Sequence, residues 1–425
     1  MSGLAITQAP APSLPMRFLL AAPAWGMFAG VWLAVQGEGA LMSRWAPATV
    51  VLVHVVVLGV LGNAMLGALT QFLPVAALSP LAGRRTLPLL HVGLNAGLAS
   101  FVVGLSKGIG LALHLAALLL GGTLLAFAVL AGVALFRGKG ARWLRGGLGV
   151  ALFSLAVTAV LGVLGLLALT GDVSVALERV VDVHASFGLV GWVLMLIAVV
   201  GAMTLPMLQG TRAVPPRWVV GWVVCTMVGL LAGAVMRVWA GAALLAATTL
   251  AAAWTFAAAS LWLQLRSPHR RNPVLRLSWT VGVVAIASAV ALMPLESMGT
   301  GTALWVGTLA LGIGLPVLVT GMTMEIVSFL AWIHLRGVVP RGRQIPGVGR
   351  LVPEADKRIV LALHLIAAAG LLAALALQKG HLASGLLIAL AHASTLVVLV
   401  RCRFRVVAEA RIPAARSSVR LPVRE

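Results

Sequence analysis

The sequence predicts an all-α polytopic membrane protein of about 12 transmembrane helices. Three observations carry that expectation. Of 425 residues, 61% are apolar and only 10% are charged, and the mean hydropathy is +1.07; soluble domains carry about 25% charged residues. The apolar residues come in runs of about 20, the length of a helix that crosses a bilayer. None of the runs alternates apolar and polar residues as barrel strands do. The third observation is the placement of basic residues, which switches from one side to the other at each run.

Twelve spans are expected at 18–36, 48–70, 87–105, 108–136, 147–170, 183–206, 218–236, 239–264, 277–293, 303–334, 358–378 and 381–400. With the N-terminus inside, 26 of the 31 Lys and Arg fall on the inner side. The outer side keeps Arg44, Lys107, Arg179, Arg237 and Lys379. This bias follows the positive-inside rule, so both termini are expected in the cytoplasm of a bacterial inner membrane. It also accounts for the net charge of +21 without a nucleic-acid partner; the partner it implies is the lipid bilayer.

Residues 1–16, rich in Pro and Ala, read as a disordered cytoplasmic lead, and 401–425 as a basic tail against anionic headgroups. The loop after the tenth run, with Arg336, Arg341, Arg343 and Arg350, is the longest inner connection. The first run is longer than a signal-peptide core and is read as an uncleaved helix. Cys225 and Cys402 form neither a disulfide framework nor a CxxC motif. The chain also holds no GxxxxGK[ST] or HExxH pattern, and no enzyme activity is assigned.

The second, sixth and tenth spans share an order of parts. HVVVLGVLGNAMLGALTQFLPV opens at His54 and HASFGLVGWVLMLIAVVGAMTLPM at His184; TGMTMEIVSFLAWIH, from Thr320, places Glu325 where the first has Gln71. The period is four helices, which divides one integral-membrane domain into units of about 17–137, 138–266 and 267–400. All three copies run in the same direction. That separates them from the inverted repeats of many secondary transporters.

Ionisable groups in hydrocarbon are costly and mark function. His54, His114, His184 and His381 lie toward the outer side, with His54 about 9 Å inside its run at 1.5 Å per residue. Imidazole ligates haem iron and copper through one neutral nitrogen. His54 and His184, in matching repeats, are the expected haem or metal ligands, with His114 and His381 as added candidates. Alternatively, single histidines serve as interhelical hydrogen-bond partners. Glu325, Gln71, His91 and Asn95 are candidates for a proton or solute path. A small-solute permease and a membrane assembly scaffold are thus the competing readings, the scaffold resting on glycine faces such as Gly59, Gly62 and Gly67.

The three quoted blocks resemble a group of bacterial membrane proteins distantly similar to subunit I of the haem-copper oxidases and to the NnrS haem- and copper-containing proteins. The resemblance implies twelve helices in three four-helix arcs, haem or copper as cofactor, and a redox partner or further membrane subunit. It implies a place in respiratory or nitrogen-oxide metabolism. By position, His54 matches the second-helix haem ligand and His184 the sixth-helix histidine. The seventh span has no His-His pair, the tenth has no HxH, and the chain has no tyrosine, so a complete oxygen-reducing centre is not expected.

Overall fold

The computed structural model describes residues 5–81, 85–296, 301–340 and 343–411. Arg341 and the tail beyond Arg411 lie outside the described residues. Twelve helices are long and apolar enough to cross a membrane. They are α1 (Ser13–Leu41), α2 (Pro47–Val75), α3 (Thr86–Lys107), α4 (Gly110–Arg137), α5 (Arg142–Thr170) and α6 (Leu177–Gln209). The second half is α7 (Pro216–Trp239), α8 (Ala243–Leu265), α9 (Pro273–Glu296), α10 (Ala303–Val338), α11 (Glu354–Leu377) and α12 (His381–Arg411).

Each expected span corresponds to one of these helices, most of which run on past the apolar stretch. Two extensions correct the sequence reading. Helix α1 begins at Ser13, preceded by a 3-10 turn at Ile6–Gln8 and a hydrogen bond from Ala5 N to Val75 O, so the lead is ordered from residue 5. Residues 401–411 are the last turns of α12, held by Arg405 to Asp356 at 2.9 Å and by Arg343 to the Glu409 carbonyl at 2.8 Å. A hydropathy window ends where charge begins, whereas a helix continues as long as its backbone bonds are met.

Burial separates three helices from the other nine. In the most apolar stretch of α2, α6 and α10, 61%, 67% and 56% of residues are inside the bundle, against 50% or less elsewhere. Chain neighbours pack around them: α3 on α4, α4 on α5, α7 on α8, α11 on α12, with α12 closing on α1. One face carries Arg44, Lys107, Arg179, Arg237 and Lys379 and is here called the sparse face; the opposite one is the basic face.

The same three helices each contain a π-helical stretch, at Val55–Gly62, Phe187–Leu194 and Thr308–Gly314. No other described helix has one. A π turn bonds i to i+5 and widens the helix, and such turns gather at functional sites. In α2 the first widened turn is closed by Asn63, whose side-chain amide donates to the Gly59 carbonyl at 3.0 Å.

Close backbone approach fastens the ring of helices where α1 meets α12. Gly30 lies against the backbone of Gly385 and Ala389; a Cβ on Gly30 would fall 2.5 Å from the Gly385 carbonyl oxygen. Gly146, by contrast, has open space around its Cα. Gly30→Leu is therefore expected to destabilise the protein by about 3 kcal/mol or more, and Gly146→Leu to be near neutral. Thermal unfolding of the two variants in detergent, followed by circular dichroism, checks this.

Candidate functional site

His54 and His184 are each the eighth residue of their helices, and α2 and α6 start from the same face, so the two lie level. Their rings stand 6.2 Å apart between centroids with planes 23° from parallel. His54 Nδ1 lies 2.8 Å from the Val50 carbonyl, one turn back in its own helix. His184 Nδ1 lies 3.0 Å from the Thr158 carbonyl of α5. A carbonyl oxygen only accepts, so Nδ1 of each ring is the donor. In the neutral imidazole, Nε2 then presents a lone pair, the arrangement in which ligating histidines are held.

The surroundings explain this placement. Gly162 of α5 has no side chain to hold His184 away; a Cβ there would stand 3.2 Å from His184 Cε1. Phe101 of α3 lies 4.6 Å from the His54 ring and limits its rotation. Arg237 of α7 bridges Asp182 at 2.9 Å and Glu178 at 3.1 Å, fixing the entry turn of α6 just before His184. The spacing also fits a shared ligand. Two imidazoles binding one metal from opposite sides, each at about 2.0 Å, have centroids roughly 6 Å apart.

His114 and His381, the added candidates, do not group with this pair. Among the described residues no group of three or more His, Cys, Asp or Glu is arranged to hold a metal ion. His114 turns to the loop after α5 instead, with Nε2 2.7 Å from Asp172 Oδ2. His381 is buried as the first residue of α12. Depth along the chain groups these residues, but their helices pack elsewhere in the bundle, α4 on α3 and α5 and α12 on α1 and α11.

Asn95 also has a structural explanation. Its Oδ1 accepts from Trp25 Nε1 at 2.6 Å and from Asn63 Nδ2 at 3.2 Å, while its own amide donates to the His91 carbonyl at 2.7 Å. This knot ties α1, α2 and α3 together. The His91 ring packs edge-on against Phe18 at 5.0 Å, with Nε2 buried and unpartnered.

Gln71 and Glu325 come together as linings of one cavity of about 160 Å³, between the basic-face halves of α2, α6 and α10. Both amide atoms of Gln71 are buried without a partner. Glu325 is buried and ion-paired with Lys357, at the start of α11 and also buried. The sequence reading placed Lys357 in a loop, one residue before the expected span, and so left the carboxylate without its counter-ion.

A second histidine pair escaped the sequence reading. His364 of α11 and His392 of α12 meet edge-to-face at 4.8 Å and line a cavity of about 150 Å³ beside α1, α2 and α10. His364 Nε2 is 3.1 Å from the Thr395 hydroxyl. The available signal was their nearly equal distance from the short turn joining α11 to α12, which sets antiparallel neighbours level.

These features define a twelve-helix membrane protein with paired, half-buried imidazoles on two of its most buried helices. No family model matches the chain, and no curated protein matches it.

Two outcomes are expected. Removing one member of a buried ion pair leaves the other charge uncompensated at a cost of about 3–5 kcal/mol. Glu325→Gln should therefore destabilise strongly, while Glu325→Leu combined with Lys357→Met should recover most of the loss in thermal unfolding. Hydrogen bonds from the Thr170 hydroxyl and the His114 ring hold the Asp172 carboxyl below its ordinary value of 3.8. A lowered carboxylate pKa stabilises the fold above the unfolded value and stops doing so as pH falls through the folded one. Wild type and Asp172→Asn should thus differ slightly in unfolding temperature at pH 6 and converge near pH 2.

Proposed function

We propose that this protein holds a transition metal, as haem iron or as copper, between α2 and α6, with His54 and His184 as ligands. The reading rests on the level, near-parallel rings whose Nδ1 atoms are tied to backbone carbonyls. Those bonds fix the tautomer and the ring planes and raise the basicity of Nε2. A bound iron or copper centre would supply one-electron chemistry at this position. The chain's own contribution is to orient the two lone pairs, and to steady α6 through the Arg237 bridges.

His54 and His184 would hold one such centre, and among the described residues no third His, Cys, Asp or Glu stands with them to hold a second metal. Electron transfer, storage or sensing therefore suits the pair better than oxygen reduction. The missing tyrosine and the absence of further ligand histidines from the seventh span point the same way. A role in respiratory or nitrogen-oxide metabolism, with a redox partner or further membrane subunit, extends the resemblance of the three helix blocks. The recurrence of a π stretch in α2, α6 and α10 supports three four-helix units. The excess of Lys and Arg on the basic face supports an inner membrane with both termini in the cytoplasm.

A second reading, a proton-linked permease for a small solute, is favoured by the Glu325–Lys357 pair beside the cavity. Its signature is uptake into proteoliposomes driven by a pH gradient and lost in Glu325→Gln.

Protein purified from cells supplied with iron and copper decides the first reading. The expected result is a Soret band, or about one copper per chain by elemental analysis, lost in both His54→Ala and His184→Ala and retained in His114→Ala. Colourless, metal-free wild-type protein overturns it.

A further inference from the structure

The cavity between the basic-face halves of α2, α6 and α10 is separate from the histidine pair and has its own chemistry. Its volume of about 160 Å³ is close to that of an apolar protein cavity known to take up benzene, about 150 Å³. One aromatic ring with a small substituent fits. Met65, Met203, Met322, Phe72 and Phe329 lie on the wall, and methionine sulfur makes favourable contacts with ring edges.

What the space takes depends on which polar atoms open onto it. The Gln71 amide and the Trp279 indole N–H are closed even to a water-sized probe, so they present nothing to a ligand. The Thr204 and Thr323 hydroxyls donate to the Val200 and Val319 carbonyls of their own helices, at 3.0 and 2.8 Å, which leaves only acceptor lone pairs. Glu325 is 6% exposed and is the one charged side chain on the wall. Lys357 holds its Oε1 from outside the lining. Its Oε2 has no hydrogen-bond partner among the described residues, yet it is not closed off as the Gln71 amide is.

The wall therefore offers acceptors and no side-chain donor. A carboxylate oxygen left unmet in apolar surroundings is costly, and a donor brought to it makes a charge-assisted hydrogen bond, roughly twice as strong as a neutral one. Charge narrows the choice further. Lys357 already balances Glu325 and the wall holds no second carboxylate, so a cation would add an uncompensated charge. A neutral ring with one donor meets each condition, and O–H bonds to carboxylate are shorter than N–H ones.

We propose that this cavity binds a small neutral aromatic molecule of the phenol class, its hydroxyl donating to Glu325 Oε2. The full chain in lipid nanodiscs is titrated with para-fluorophenol and followed by fluorine NMR. Protein-free nanodiscs are subtracted, and affinities are referred to the concentration in the lipid. One saturable site per chain is expected. Para-fluorotoluene has the same size without the donor and should bind about tenfold more weakly, the scale of one hydrogen bond. The para-fluorobenzylammonium cation should also bind more weakly than the phenol. The double variant Glu325→Leu with Lys357→Met removes the carboxylate and its partner together, and should lose the preference for the phenol over the toluene. Binding should persist in His54→Ala, and no transport is measured, so the result stands apart from both the metal and the permease readings. Absence of a saturable site, its loss in His54→Ala, equal binding of para-fluorotoluene, tighter binding of the cation, or an unchanged preference in the double variant overturns the proposal. Comparing the three probes needs only wild-type protein, so it decides the matter even where a variant does not fold.

Discussion

Hydrocarbon offers a polar group no hydrogen bond, and that constraint shapes this molecule more than any single contact. Backbone groups meet it by forming helices, which is why so apolar a sequence resolves into twelve of them. Side chains meet it in pairs: Asn63 with Asn95, His54 with the Val50 carbonyl, Glu325 with Lys357. Gln71, Trp279 and the His91 Nε2 are among the buried groups that do not meet it.

The arrangement of helices follows from the same economy. Helices α2, α6 and α10, which carry His54, Gln71, His184 and Glu325, are also the most buried. The outer helices are held by small residues. Where Gly30 meets Gly385, backbone lies on backbone, a closeness that side-chain packing alone does not give. The bundle thus holds polar groups both at its centre and where outer helices meet, as at His364 and His392.

Much of this was legible in the residues. Apolar run length and the alternation of Lys and Arg marked each helix, and the repeated order of His, Gly and Leu-Pro singled out α2 and α6. Matching positions in matching helices also placed His54 and His184 side by side, because residues at equal depth on adjacent central helices have few places to go. Which helix packs against which was not legible. Depth grouped His114 with the pair, yet its ring turns to Asp172. Partners at the edge of an apolar run were lost as well: Lys357 reads as loop charge until its long side chain is seen reaching Glu325. Nor does any residue pattern announce a π turn, which is a matter of backbone register and not of composition.

Those widened turns carry a consequence for how the protein tolerates change. A π turn holds more residues than an α turn, so the parts of α2 before and after Val55–Gly62 are phased differently around the axis. Deleting a single residue there would let the segment tighten into ordinary α-helix with its hydropathy barely altered. Each residue of a π turn advances less than the 100° of an α-helix, so the lost residue and the tighter winding roughly cancel and the two ends keep their mutual phase. Single-residue deletions at these three positions would thus be absorbed by the widened turns, whereas the same deletion in an ordinary α-helical stretch would turn one end by about 100° relative to the other.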